Sequence, residues 1–274
     1  MKVLNGDLVV DNIRKLFERL NFNPPSLKDD GVSFSEEGVS GLESEILSIM
    51  DENVEIAGKG SRPLCQDCGA AHVSIKKGKH VIFSNAASLN SLVNEGVRQA
   101  YSGKNLRKSI VSDPFSRKNT GDNTPVFIDY EETDGDVFEI SGMVKGGGSD
   151  NVSAVKMLRP SEGREGVANF VAGVLSDARG SGCPPYFAGI GVGATFSHVT
   201  KLAAKALMQK SCDDKKLEDM ISDRVEKLDF GVQGVPGSTG LKAVFIKKAP
   251  THIAMLPVSV MLNCHSYRCG YVNL

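Results

Sequence analysis

Six cysteines carry the strongest chemical signal in this sequence: Cys65, Cys68, Cys183, Cys212, Cys264 and Cys269. Three stand at breaks between regular segments, beside proline, glycine or polar residues. Cys65 lies in Pro63-Leu64-Cys65-Gln66-Asp67-Cys68-Gly69, Cys183 in Gly180-Ser181-Gly182-Cys183-Pro184-Pro185, and Cys264 in Asn263-Cys264-His265-Ser266. Such loops let thiolates from distant parts of a chain converge. Soft sulfur donors select iron–sulfur clusters or zinc. Three thiolates suit a [4Fe-4S] cluster with one iron lacking a protein ligand, an open position for Lewis-acid, non-redox chemistry such as adding or removing water. The competing set is a four-cysteine zinc site from Cys65, Cys68, Cys264 and Cys269, with an imperfectly spaced second pair and Cys183 left unexplained. Spacing alone leaves the two level, and for any one cysteine a plain buried thiol stands about even with a ligand or catalytic role. Cys212, at the end of an amphipathic segment, reads as structural or surface.

The bulk properties narrow the setting. The chain has 274 residues, 41% hydrophobic and 24% charged, with formal net charge -1. That length supports a substantial core. No basic field exists to hold a nucleic-acid backbone. No apolar run reaches bilayer length. Asp7 and Asp11 interrupt the apolar stretch at the N-terminus, so it does not read as a secretory signal. The expected compartment is the cytoplasm, where stable disulfides are improbable and ligand roles for thiols gain weight.

The elements that would position these residues can be read from periodicity. Helices are expected over 8–20, ending at Pro24-Pro25, and over 40–53, 88–101 with Ser88 as N-cap, 166–178, 195–210 and 215–228. Strands are expected over 71–75 and 80–83, joined by a turn at 76–79. Others are 126–130 and 137–143, read as a pair joined at Asp134-Gly135, then 241–248 and 253–262. The polar stretch 104–125 is too long for an idle connection. Residues 180–193 read as a Gly/Pro-rich segment. No repeat or linker divides the chain, so residues 1–274 are read as one compact α/β domain.

Several motifs, in chain order, resemble those of a known family. Pro63-Leu64-Cys65-Gln66-Asp67 is similar to the P-x-C-Q-D-T-G signature of class I fumarase and L(+)-tartrate dehydratase alpha chains. Asn105-Leu106-Arg107 resembles their N-L-R, Asn119-Thr120-Gly121-Asp122-Asn123-Thr124-Pro125 their N-T-G-x-N-x-P, and Lys145-Gly146-Gly147-Gly148-Ser149 their K-G-G-G-S. Gly182-Cys183-Pro184-Pro185 with Gly189-Ile190-Gly191-Val192-Gly193 resembles G-x-C-P-P…G-I-G-x-G. Pro250-Thr251-His252 through Val258, followed by Cys264, resembles their closing block. The chain departs at Cys68, where the family usually has threonine, and in His265-Ser266-Tyr267-Arg268-Cys269, where an alanine-rich ending is usual.

The resemblance implies that Cys65, Cys183 and Cys264 hold a [4Fe-4S] cluster. It makes Asp67 the catalytic acid/base candidate near a substrate hydroxyl, the alternative being a carboxylate that caps its own turn. Gln66 is a candidate donor to a substrate carboxylate, against local loop bonding. Arg107 is the strongest substrate-binding candidate, because a guanidinium matches a carboxylate bidentately; Arg117 in the same stretch reads as a solvated charge. Gly147 and Gly148, with Gly146, are candidates to present backbone N–H groups to a carboxylate in a nest. Gly189-x-Gly191-x-Gly193 fails the dinucleotide fingerprint and reads as close packing before a helix N-terminus. His252 is a substrate-binding candidate with a satisfied buried histidine as its alternative, and His265 is a candidate to support the site.

The implied activity is hydration and dehydration of a small dicarboxylate, malate and fumarate first, with L(+)-tartrate as the second substrate. The implied partner is a beta subunit carrying the base, since no such region follows Cys264, with α2β2 the expected assembly. A zinc-stabilised interaction module is the non-enzyme alternative.

Overall fold

The computed structural model of this chain describes residues 1–24, 34, 39, 41–60, 62–84 and 87–274. Its residues divide into two compact units, Met1–Ser33, Asp51–Gly146 and Arg268–Leu274 in the first, Phe34–Met50 and Gly147–Tyr267 in the second. Each has its own sheet and its own core, and the α/β class expected from the sequence holds in both.

The first unit opens with β1 (Lys2–Leu4) and α1 (Gly6–Phe22). Asn5 caps α1 by accepting the Asp7 N–H at 2.8 Å. Val9, Ile13, Leu16, Phe17 and Leu20 recur at helical spacing and are all buried. Each such side chain contributes about 1.5–3 kcal/mol of burial free energy. The helix stops at Phe22, just ahead of Pro24; Pro25 and Ser40, the expected start of the second helix, lie outside the described residues. That helix, α2, spans Gly41–Gly58 and runs past the expected end at Asn53.

Then come β2 (Ala70–Gly78), β3 (Val81–Phe83) and α3 (Leu89–Gly103), whose N-cap Ser88 accepts the Ser91 N–H as expected. Gly96 of α3 meets α1: a Cβ there would lie 2.7 Å from the Ile13 side chain. After β4 (Phe127–Thr133) and β5 (Phe138–Lys145), the chain returns at its end as β10 (Arg268–Asn273). The sheet order is β10-β5-β2-β4, with β2/β4 parallel and the other pairs antiparallel.

Two expectations are corrected here. Residues 76–78 are not a turn; they continue β2, paired with 131–133 of β4, and β3 pairs instead with β1. The strands around Asp134-Gly135 are not partners either, because β2 lies between them. Alternation marks a strand but does not name its neighbour.

The second unit holds α4 (Gly147–Asn151), β6 (Ala154–Leu158), α5 (Gly163–Ala178), β7 (Tyr186–Ala194), α6 (Phe196–Gln209), α7 (Lys215–Val225), β8 (Leu241–Thr251) and β9 (Leu256–Asn263). Its sheet order is β6-β9-β7-β8, with β7/β8 parallel and the rest antiparallel. Strand β7 lies in the stretch that the sequence shows only as a Gly/Pro-rich segment. Its glycines are there for packing: a Cβ on Gly189 or Gly191 would lie 2.3 Å from the Ala203 or Val199 carbonyl oxygen of α6. The close-packing role expected of these glycines therefore holds. Asp214 caps α7 by accepting the Leu217 N–H at 3.1 Å and takes ion pairs from Arg164 and Lys248, each at 2.9 Å.

Candidate active site

In the first unit the site residues sit on a loop just before β2. Cys65 and Asp67 are half-buried, Gln66 is exposed, and Cys68 is buried. Gly69 ends the loop with φ +61, and a Cβ there would lie 2.6 Å from the Lys145 carbonyl oxygen. Only glycine fits that approach and that φ. Asp67 Oδ1 accepts the Gly69 N–H at 2.9 Å, so the turn-capping alternative for Asp67 is real. Its other oxygen faces Gly146: a Cβ on Gly146 would lie 3.2 Å from Asp67 Oδ2 and 3.7 Å from Arg268 Nη2. Arg268 is 1% exposed, donates from Nη1 to Asn21 Oδ1 at 3.2 Å, and its Nε has no partner.

Buried side chains fasten this loop to its neighbours. The Tyr101 hydroxyl donates to the Cys68 carbonyl. The Arg107 N–H donates to Cys68 Sγ at 3.3 Å, and Cys68 Sγ turns back toward the Cys65 and Gln66 carbonyls at 3.8 and 3.9 Å. Asn123, fully buried, accepts the Ser109 N–H at 2.7 Å and donates to the Gly69 carbonyl at 3.1 Å. Burial pushes the Cys68 thiol up against the pull of the Arg107 N–H, and burial also raises Tyr101 far above the ordinary phenol range. Both are neutral hydrogen-bonding groups at neutral pH.

The Arg107 loop is thus bonded to the Cys65–Cys68 loop, and the Arg107 side chain is exposed. Asp122, next to Asn123, accepts from the Thr124 N–H and Arg98. Burial opposes its charge, but these donors outweigh it and hold the carboxyl at about 2. Arg117 is exposed, as expected of a solvated charge.

In the second unit Cys183 is exposed and in the left-handed region at φ 58, ψ 66. The Tyr186 hydroxyl accepts the Gly182 N–H and donates to the Arg179 carbonyl, both at 2.8 Å. The Gln233 backbone and side-chain N–H groups both donate to the Pro184 carbonyl at 3.1 Å, and the Pro184–Pro185 bond is cis. The His265 N–H donates to the Cys183 carbonyl at 3.2 Å, which joins the Cys183 and Cys264 loops. Burial raises Tyr186 to about 12, against the pull of the Gly182 N–H.

Cys264 is 8% exposed, and its sulfur lies 3.0 Å from the Ser266 hydroxyl. Gly148 belongs to the same corner, since a Cβ on it would lie 3.5 Å from the Ser181 carbonyl oxygen. Gly147 and Gly148 lie in the first turn of α4 rather than in an open loop. His252 is not buried: it sits in the exposed β8–β9 turn with Nδ1 accepting the Ala254 N–H at 3.2 Å, so the satisfied-core alternative falls.

For soft metal chemistry the second unit offers two thiols on bonded loops with a hydroxyl beside one of them. The first unit offers Cys65 on a loop held by its neighbours. Among the described residues no group of three or more His, Cys, Asp or Glu is arranged to hold a metal ion. The donor chemistry of the Cys183–Cys264 corner fits an iron–sulfur group, because soft ligands and a hydrogen-bond donor to sulfur are what such groups take from a protein.

Sequence reasoning missed the residues that hold these loops. Tyr101, Asn21, Arg268 and Tyr186 carry no motif of their own. Asn123 stands inside a motif but gives no hint that it reaches Gly69. Among the described residues no helix is long and apolar enough to cross a membrane.

Known proteins supply independent support. Residues 10–273 match the family model described as fumarate hydratase (Fumerase). A Methanocaldococcus jannaschii protein, provisionally named an L(+)-tartrate dehydratase subunit alpha, is 35% identical over 274 residues, covering 96% of this chain and 95% of that protein. The L(+)-tartrate dehydratase subunit alpha of Escherichia coli strain UTI89 is 28% identical over 261 residues, covering 92% of this chain and 85% of that protein. That of strain K12 is 28% identical over 257 residues, covering 90% and 84%.

Proposed function

This chain belongs to the fumarate hydratase (Fumerase) family, and from that premise we propose that it is the alpha subunit of a [4Fe-4S]-dependent hydro-lyase acting on a small dicarboxylate. Residues 1–274 act as one alpha-type catalytic domain in this reading. Malate and fumarate are the first substrates to test. L(+)-tartrate is the second, favoured by the names its relatives carry.

The observation that carries the proposal is the bond from the Arg107 amide to Cys68 Sγ, which fastens the arginine loop to the loop of Cys65, Gln66 and Asp67. It puts Arg107 on a loop bonded to the loop of an amide and a carboxylate, the residue types a hydroxy-dicarboxylate needs. Cys65, Cys183 and Cys264 would hold the cluster. When bound, such a group supplies Lewis acidity toward a hydroxyl and a carboxylate.

The chain's own residues do the rest. Arg107 takes a substrate carboxylate bidentately and Gln66 donates to it. Gly147 and Gly148 offer backbone N–H groups to the other carboxylate, and His252 contributes a further polar contact. Asp67 holds the proton that leaves with the hydroxyl as water. The carbon-bound proton is taken by a base on a beta subunit, so the active form is a hetero-oligomer, α2β2, in the cytoplasm.

The test is anaerobic purification with a beta partner. Iron and sulfide should be bound, and dehydration of malate or tartrate should appear only when both chains are present. Cys65→Ser, Cys183→Ser and Cys264→Ser should each abolish the cluster and activity. Stoichiometric zinc with no iron, surviving Cys183→Ser, would overturn the assignment.

A further inference from the structure

Two side chains that carry no assigned chemistry hold the substrate-facing loops together in the first unit. Cys68 is 1% exposed and Asn123 is 0% exposed. Cys68 Sγ accepts the Arg107 N–H at 3.3 Å while lying 3.8 Å from the Cys65 carbonyl oxygen. Asn123 uses both ends of its amide, Oδ1 for the Ser109 N–H at 2.7 Å and Nδ2 for the Gly69 carbonyl at 3.1 Å. The two bridges leave the 105–109 loop from the Arg107 and Ser109 amides and land side by side on Cys68 and Gly69, at the end of the loop that carries Gln66 and Asp67. Asn105 and Asn123 both adopt positive φ, 51° and 64°, so neither loop is part of a helix or strand that could hold it by repetitive hydrogen bonding. Beside the tie through Tyr101, whose carbonyl accepts the Leu106 N–H and whose hydroxyl donates to the Cys68 carbonyl, these side-chain bonds are what joins the arginine loop directly to the loop of Gln66 and Asp67.

We propose that Cys68 and Asn123 are positioning residues that register the Arg107 loop against the Gln66-Asp67 loop and so set affinity for the dicarboxylate. This deepens the hydro-lyase reading and rests on it for its kinetic consequence. It also gives Cys68 a role without a metal: its sulfur is an acceptor for a backbone amide, a task a threonine hydroxyl can also perform. Removing the acceptor leaves the half-buried Arg107 N–H without its partner and lets the arginine loop shift, and a small displacement of a substrate-binding group lowers productive binding steeply.

The experiment has two arms. In the first, amide hydrogen exchange is followed on the full chain. Cys68→Val, similar in shape but with no acceptor, should speed exchange at the Arg107 amide by about ten-fold or more, and Cys68→Thr should restore it to near the parent rate. Asn123→Asp keeps the Ser109 acceptor and loses the donor to Gly69, so exchange should stay slow at Ser109 while the loops loosen elsewhere.

In the second arm, the complex with a beta subunit is assayed on malate and tartrate. Cys68→Val and Asn123→Asp should raise KM about ten-fold with kcat within about two-fold and iron and sulfide content unchanged, and Cys68→Thr should rescue KM. An unchanged Arg107 exchange rate in Cys68→Val would overturn the bridge. Loss of iron in proportion to activity would make Cys68 a ligand and overturn the positioning role, as would a kcat defect at unchanged KM. A parent complex that dehydrates no dicarboxylate would instead sink the hydro-lyase reading and leave the exchange arm to decide the bridge. If Cys68→Val does not fold, Asn123→Asp carries both arms alone.

Discussion

The loop of Cys65 and the loop of Cys183 are both irregular backbone, yet they are held in different ways. Around Cys65 the side-chain restraints come from Tyr101 and Asn123, far along the sequence, and from neighbouring Cys68, beside a backbone bond from the Leu64 N–H to the Asn21 carbonyl at 2.7 Å. Around Cys183 they converge on backbone atoms, one from a few residues away and the others from Gln233 and His265 far along the sequence. Tyr186 closes the turn only a few residues back, and Gln233 and His265 reach the Pro184 and Cys183 carbonyls through their own N–H groups. A loop tied by long-range side-chain bonds can be loosened by a single conservative substitution without unfolding its unit. A loop tied through its own backbone and a left-handed cysteine yields only when the local geometry is broken. The first should show as altered substrate affinity, the second as lost stability.

The largest effects are expected at the steric limit that each unit contains. Gly191→Ala would place a Cβ 2.3 Å from the Val199 carbonyl, so α6 would have to move off β7. Gly69→Ala would combine a 2.6 Å approach to the Lys145 carbonyl with φ +61. Each should cost about 3 kcal/mol, read from denaturant unfolding of the full chain. Hydrogen exchange then separates the two variants and sharpens the comparison. Gly191→Ala should leave exchange at the Arg107 amide untouched, and Gly69→Ala should release it.

A smaller pair tests the tyrosines. Tyr186→Phe removes an acceptor from the Gly182 N–H and a donor from the Arg179 carbonyl, and should cost about 2 kcal/mol. Tyr101→Phe removes the donor to the Cys68 carbonyl and should cost about 1 kcal/mol. If Tyr101→Phe proves the more damaging to stability, the distinction between the two loops is wrong.

The same distinction explains what the sequence could reveal. The helices α1, α3 and α6 are legible because apolar residues at 3.6-residue spacing mark a buried face whatever lies opposite. The cysteine loops are legible because proline and glycine mark breaks in regular structure. Strand β7 is not, because the glycines that let α6 approach too closely for any Cβ erase the β-branched signal a strand usually carries. Pairing is not legible either: Asp134-Gly135 looks like a hairpin turn, and β2 takes the place beside β5 instead. The residues that hold the site act through one or two atoms each across long separations, as Asn123 does to Gly69, and no local pattern encodes that. His252, whose buried alternative depended on the apolar strand after it, is exposed because the turn precedes that strand.

The smallest effect is expected at Asp214, which belongs to neither loop and serves as a control on both. Its carboxylate is 6% exposed and is held well below the usual carboxylate range, first by the Arg164 guanidinium, against burial, and then by Lys248 and the Leu217 N–H. A carboxyl depressed in the folded state binds its proton more readily when unfolded. The stability it contributes is therefore complete above the unfolded pKa of about 3.9 and drains away as pH falls below that toward the folded value. Asp214→Asn keeps a side-chain cap for the Leu217 N–H but loses both ion pairs. Because Arg164 and Lys248 are 51% and 41% exposed, the loss at neutral pH should be only about 1 kcal/mol. In urea titrations at a series of pH values, the gap between parent and variant should stay constant from pH 7 to about 5 and close as the pH drops below about 4. The KM for dicarboxylate and exchange at the Arg107 amide should not move. A gap that widens toward acid would mean the carboxyl is not ionised in the folded chain, and a change in KM would mean that stability and substrate positioning are coupled where the two-loop comparison holds them apart.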